Sequence, residues 1–342
     1  DMKNRATICL IIACYAGFYT NSTAQDLHFS QYFNSPLLVN PANAGFAPDV
    51  DYRVGINYRN QWASVTPNPY KTMDVWGDVQ LFNNRFQDGW VGLGGSIIKD
   101  QAGSGGLSST KGFASIAYHQ LLGFNSLLSG GFNIGFVNKR IDVSKLTFDN
   151  QWNGKFFDVT IPSGEQFAYN SATYLDLQAG LNYALFPSDN AYLNVGFSAM
   201  HLNRPKETFF SDNIADTRIA PRLTLFLNGS FKLNDQWIVN PNVYISQMGG
   251  AWETVAGLNA HYNLSGDGSS QVIGGLYVRA KDAFIPMIGY EWNDVALTIN
   301  YDATSSSLGT YNQTRGAFEL SIVKSGIFGS GGKDVKCPSV KF

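Results

Sequence analysis

The side chains with reactive potential are few and scattered in this sequence. Its four histidines, His28, His119, His201 and His261, show no metal-ligand spacing. Of its three cysteines, Cys9 and Cys14 sit in an apolar leader and Cys337 near the other end, with no CxxC pair. Zinc ribbons and thioredoxin chemistry are thereby excluded, and without the leader no intramolecular disulfide can form. The G-x-S-x-G, P-loop and H-E-x-x-H motifs do not occur. Asp74 and Asp78 share one face of an extended segment, which suits a polar network better than an acid–base pair. Gly94-Gly95 and Gly130-Gly131 suit strand bends, where they relieve crowding, better than phosphate binding. No enzyme, cofactor or metal is expected, although a barrel hydrolase would build a Ser/His/Asp set from distant strands and leave no motif. With a net charge of -2, the chain offers no clustered Lys and Arg for nucleic acid.

The elements that would position any site are strands. Residues 252–262 set the pattern. Trp252, Thr254, Ala256, Leu258, Ala260 and Tyr262 form one face; Glu253, Val255, Gly257, Asn259 and His261 form the other. The apolar face carries an amphipathic aromatic at each end, as a strand crossing a bilayer requires at the headgroup level. Its length, about ten residues, is what a tilted strand needs to cross the hydrocarbon core. Composition agrees. Only 15% of residues are charged, against about 25% in average soluble proteins. Aromatics make up 14%, and 35 glycines are too many for a helical protein.

The same alternation recurs along the chain. Tyr52, Val54, Ile56 and Tyr58 oppose Arg53 and Arg59; Met73, Val75, Val79 and Leu81 oppose Asp74 and Asp78; Leu223, Leu225 and Leu227 oppose Arg222. The count reaches about fourteen strands, an even number within the outer-membrane range. The apolar rows carry no Asp, Glu, Lys or Arg. A lipid-facing Arg or Lys at the midplane costs about 2–4 kcal/mol, whereas a soluble sandwich tolerates charge outside. Connections 83–89, 123–126, 187–190, 234–236, 265–270 and 293–294 are short; 62–69, 100–109, 142–172, 202–218 and 304–314 are longer. The expected fold is all-β: a transmembrane antiparallel up-and-down barrel with short periplasmic turns and longer extracellular loops. No long apolar run follows the leader, so no transmembrane helix is expected.

Four regions follow. Residues 1–24 read as a secretory signal peptide, with Lys3 and Arg5 ahead of an apolar core and Ser22-Thr23-Ala24 at the cleavage site. A lipobox-like Ile11-Ile12-Ala13-Cys14 is the alternative, against which the apolar run continues past Cys14. Residues 25–50 form an arm with Pro36, Pro41 and Pro48 amid aromatics. It either tucks into the core or serves as a plug or contact arm. Residues 51–325 form the barrel, and 326–342 a periplasmic tail. Residues 142–172, rich in Phe and Trp, are the leading functional candidate, as a constriction of the mouth or as a partner surface.

The opening Gln25-Asp26-Leu27-His28-Phe29-Ser30-Gln31-Tyr32, then Pro36 and Leu38-Val39-Asn40-Pro41-Ala42-Asn43-Ala44-Gly45, resembles the signature of the PorP/SprF family of type IX secretion system membrane proteins. Tyr58-Arg59-Asn60-Gln61-Trp62, Leu146-Thr147-Phe148-Asp149 and Cys337-Pro338 fit it as well. The resemblance implies an outer-membrane barrel of the Bacteroidota. It also implies support for secretion or surface attachment of proteins with a type B C-terminal sorting domain, including gliding adhesins, and contacts with other secretion components. It carries over no catalytic residues. The expected partner surface comprises Phe148, Trp152, Phe156, Phe157, Phe209 and Phe210; the expected lumen residues are Arg53, Arg59, Asp74, Asp78, Arg222 and Glu253. The alternative is a channel for small or apolar solutes, with inward Trp76 and Phe226 lining its path.

Overall fold

The computed structural model describes residues 27–47, 49–86, 88–103, 106–123, 125–165, 167, 169–209, 217–328 and 340, without the side chains of 83–86. The expected leader, Phe210 and Cys337 lie outside them. Fourteen antiparallel strands close into one barrel in sequence order. They are β1 (Tyr52–Gln61), β2 (Tyr70–Phe86), β3 (Gly89–Ala102), β4 (Leu107–Leu121) and β5 (Ser126–Arg140), then β6 (Ser171–Ser188), β7 (Ala191–Met200), β8 (Arg222–Asn234) and β9 (Trp237–Met248). The last five are β10 (Ala251–Asn263), β11 (Ser270–Arg279), β12 (Ala283–Trp292), β13 (Val295–Thr304) and β14 (Ala317–Gly326). The seam joins first strand to last, from Tyr52 opposite Gly326 to Gln61 opposite Ala317. No sheet edge is left unpaired in lipid.

Burial is reversed relative to a soluble domain. On β10, Glu253, Val255 and Asn259 are buried while Trp252 and Leu258 are exposed. The exposed side chains lie against hydrocarbon, so the sequence alternation keeps its period but swaps its usual meaning. Aromatic rings mark both margins of the apolar belt. Trp237 and Tyr262 pair 4.8 Å apart near one rim, and Trp62 meets Tyr70 at 5.4 Å near the other.

Both chain ends of the barrel lie on the short-turn rim. The loop rim carries residues 62–69, 141–170, 201–221 and 305–316 between strands. Two connections are shorter than the sequence suggests. β2 runs to Phe86 and β3 begins at Gly89; β3 runs to Ala102 and β4 begins at Leu107. Turn-forming Asn83 and Asn84 lie within β2 at a register shift between Leu81 and Phe86, where the strand bulges, and pairing resumes with Phe86 opposite Gly89.

Residues from Leu27 to Val50 run inside the barrel. Pro36 and Pro41 each start a single helical turn, where a missing N–H costs nothing. Leu37, Ala42 and Ala44 are buried against the wall. Inward glycines leave matching gaps. A Cβ on Gly92 would lie 1.8 Å from the Ala44 carbonyl oxygen, and one on Gly131 2.4 Å from the Ala42 nitrogen. The expectation that Gly130-Gly131 relieves a strand bend is corrected here: Gly131 makes room for the arm's backbone.

Leu225→Arg, on the lipid face, is expected to destabilise the barrel by about 2–4 kcal/mol if its depth is near the midplane. Urea unfolding in lipid vesicles measures it.

Candidate functional site: a threaded lumen beneath an aromatic rim

The arm is held by polar contacts from nearly every side of the wall. Glu319 on β14 accepts hydrogen bonds from the backbone N–H of Ser30 at 2.8 Å and of Gln31 at 3.0 Å. The Ser30 hydroxyl donates to Asp302 at 2.7 Å. Arg59 pairs with Asp302 at 2.9 Å and with Glu319, and Arg279 reaches Asp302 at 3.1 Å and Glu253 at 3.2 Å. Arg222 lies 3.9 Å from Glu253 and donates to the Leu27 carbonyl at 2.9 Å. Three buried arginines thus meet three buried carboxylates around the arm's leading residues, so each charge has a partner in a space that water scarcely reaches. His28 sits 3.6 Å from Glu253.

Further along, Asp74 accepts from Ser35 and Ser96. Asp78 accepts from the Gly45 N–H and pairs with Arg53, which also donates to the Asn43 carbonyl. Asn40 bridges to Asn182 at 2.7 Å and to the Leu181 and Phe197 carbonyls. Arg53, Arg59, Asp74, Asp78, Arg222 and Glu253 all project inward; the first five hydrogen-bond to the arm, and Glu253 meets it at His28. Asp74 and Asp78 each accept a hydrogen bond from the arm.

Arg279, Asp302, Glu319, Ser30 and Asn40 were not picked out by sequence reasoning. Alternation puts Arg279, Asp302 and Glu319 in polar rows, but nothing local says that strands more than two hundred positions from Ser30 meet it. The inward aromatics do not line a path. Trp76 donates its indole N–H to the Asn34 carbonyl at 2.8 Å, and Phe226 packs in the cluster that holds Tyr32. Both rings close over glycine gaps, Trp76 at Gly55 and Phe226 at Gly196, as inward aromatics do where a strand lacks a side chain.

The other histidines are structural. His119 stacks on Trp90 and bonds to Ser129 and the Ala44 carbonyl. His201 bonds to Asp176 and His261 to Gln271. Among the described residues no His, Cys, Asp and Glu group has metal-binding geometry.

Above the arm the loop rim forms a recess of about 410 Å³, lined by Leu27, Ser109, Lys139, Tyr174 and Glu207 among others. Below it, two vestibules of about 470 and 390 Å³ face the short turns, the larger one polar and the smaller lined in part by Phe33, Ile273 and Met287. Residues 141–170 fold on themselves outside the mouth. Gln151 is buried and binds the Ile161 carbonyl; Phe148 packs on Phe167, and Trp152 meets Phe157 edge-on at 5.1 Å. Hydrogen bonds from Ser144 and Thr160 hold Asp142 and Asp158 below the usual carboxylate range. Trp152, Phe156 and Phe157 remain 46–59% exposed. The Phe209 carbonyl accepts from the Tyr169 N–H, tying the next long loop to this one.

A closed barrel with a lipid belt, short turns on one rim and long loops on the other is an outer-membrane β-barrel. The chain belongs to the type IX secretion system membrane protein PorP/SprF family, whose sequence model matches residues 21–323. Its fold is shared with the toluene transporter TodX of Pseudomonas putida at 13% identity, 87% of this chain, 95% of that one and a TM-score of 0.52. The toluene transporter TbuX of Ralstonia pickettii aligns at 9% identity, 86% and 94% coverage and 0.50. The monoaromatic hydrocarbon channel CymD gives 9%, 86% and 93%, and 0.50. No curated protein matches in sequence. Family and fold are those of a secretion or channel barrel, not of a known enzyme class.

Arg59→Met leaves Asp302 and Glu319 short of a cation and is expected to cost roughly 3–5 kcal/mol, read by urea unfolding.

Proposed function

We propose that this barrel docks a secreted protein at the cell surface, holding it through the outer loops by its type B C-terminal domain. The carrying observation is the combination of an arm-filled lumen with a folded, exposed aromatic loop. Soluble surfaces seldom leave Trp152, Phe156 and Phe157 together in water unless a partner covers them. Buried aromatics at such interfaces supply most of the binding energy, about 2 kcal/mol or more each. Membership in the type IX family supports a client delivered by that route and contacts with other secretion components. Residues 1–24 would be the export signal and 326–342 a periplasmic tail. An adhesin of a gliding apparatus is the expected client class.

The second reading is a conduit. It is favoured by the fold shared with proteins described as toluene transporters and a hydrocarbon channel. Against it stands an interior lined by Arg, Asp, Glu and Asn and crossed by the arm, which suits neither apolar solutes nor an open path.

Trp152→Ala combined with Phe156→Ala and Phe157→Ala should lower the amount of large secreted protein co-purified from native membranes at least about tenfold. Unchanged recovery would rule out this loop as the docking surface. Steady conductance of the purified barrel in planar bilayers would favour the conduit.

A further inference from the structure

The vestibules on the turn rim carry negative charge that no Lys or Arg of their described lining balances. The larger, of about 470 Å³, is lined by the carboxylates of Asp49, Asp267, Glu291 and Asp294. Lys324 stands outside that lining. It donates to the Asn293 carbonyl at 2.7 Å and stays 3.8 Å from Asp294. His261 faces Glu291 at 3.9 Å, but its imidazole is a cation only when protonated. Asp267 takes hydrogen bonds from Ser265 and Ser269 on one oxygen. They hold its carboxyl down at about 2 and leave its charge in place.

The neutral groups lean the same way. The smaller vestibule meets the larger at Asn240, Glu291 and Asp294, which line both. Asn242, on the smaller one, is 5% exposed. Its amide N–H groups go to the Asn240 carbonyl and the Tyr277 hydroxyl, which leaves its side-chain oxygen as an unused acceptor. Asn240 likewise commits its side-chain N–H to Asn259. Such a lining calls for a group that both donates and carries positive charge, an ammonium or a guanidinium.

One part of the chain already stands there. Val340 lines the larger vestibule with Asp49, Asp294 and Ser325, and it is half-buried. The next residue is Lys341, and residues 333–341 carry three lysines against one aspartate. The tail leaves the barrel on this same rim. The Phe328 N–H donates to Asp51 at 2.8 Å, and the Phe328 ring stacks on Tyr52 at 5.1 Å.

We infer that the larger vestibule is the seat of the chain's own carboxyl-side tail, with Val340 on its wall and Lys341 supplying the ammonium that Glu291, Asp294 and Asn240 receive. Consecutive Cα atoms are about 3.8 Å apart and a lysine stem adds four carbons, so the residue beside Val340 reaches well into such a cavity. A tethered cation is present at an effective concentration on the order of millimolar. A basic segment arriving from the turn side must therefore displace it to enter. The seat lies on the opposite rim from the aromatic loop and is independent of what that loop holds.

Proximity within the folded barrel, in a Cys337→Ser background, tests this. A short bis-maleimide should join Val340→Cys to Ser230→Cys, on the vestibule lining, in native membranes and after purification alike. Lys341→Glu should lower the yield at least about tenfold, because like charges then meet where opposite ones did. Glu291→Gln combined with Asp294→Asn should lower it too, whereas Lys341→Arg should preserve it. Lys333→Glu makes the same change in net charge and should leave the yield as it was. Absence of the joined product in a folded barrel would overturn the seat. Equal yields for Lys341→Glu and Lys333→Glu would overturn the assignment of Lys341. Joining after purification but not in native membranes, or Ser230→Cys joined there to a second protein, would give the vestibule to a partner's segment and overturn the inference. Heat-modifiable migration in gels establishes that each variant has folded.

Discussion

In hydrocarbon there is no water to satisfy an unpaired peptide group, and each such group costs several kcal/mol. That constraint sets everything else here. It requires the seam between β1 and β14, which removes the last open edge. It turns the apolar rows outward and leaves the polar rows facing one another across a narrow interior. Such an interior has its own debt of unpaired donors and acceptors. The arm discharges part of it, bringing backbone amides to Glu319 and Asp78 and accepting donors from Arg53, Trp76, Trp90 and Arg222.

The arm is therefore better described as an inner layer of the fold than as an appendage. Its own aromatics continue the wall's clusters, with Tyr32 4.8 Å from Tyr244 and Phe33 5.5 Å from Tyr277. The division of labour is clear by position. Asn40 to Gly45 sits where glycines yield space, a matter of shape. Leu27 to Gln31 sits where arginines and carboxylates converge, a matter of charge.

Much of this was legible in the sequence, for identifiable reasons. Period-two alternation is a local property, so Trp252 to Tyr262 could be assigned a face without knowing any neighbour. The number of strands and the sidedness of the loops followed from counting such segments. Arg53, Arg59 and Asp78 were recognisable as interior groups because they interrupt otherwise apolar stretches. Their partners were not recognisable. Ser30 and Glu319 are separated by 289 positions, and no spacing rule spans that distance. Gly131 was misread because a glycine that admits another segment looks, in sequence, like one that relieves a bend. The strand end at Phe86 was missed because Asn83 and Asn84 sit in a bulge inside the strand, and the one at Ala102 because pairing continues there as far as Leu107.

Glu319 occupies an unusual place in this scheme. It receives two amides from the leading end of the arm, and it stands on the strand that shuts the barrel. In the seam it lies directly opposite Arg59, with which it also forms an ion pair. One pair of side chains thus both spans the joint where the cylinder is sealed and anchors the segment inside it, so that any loosening of the joint would also release that segment.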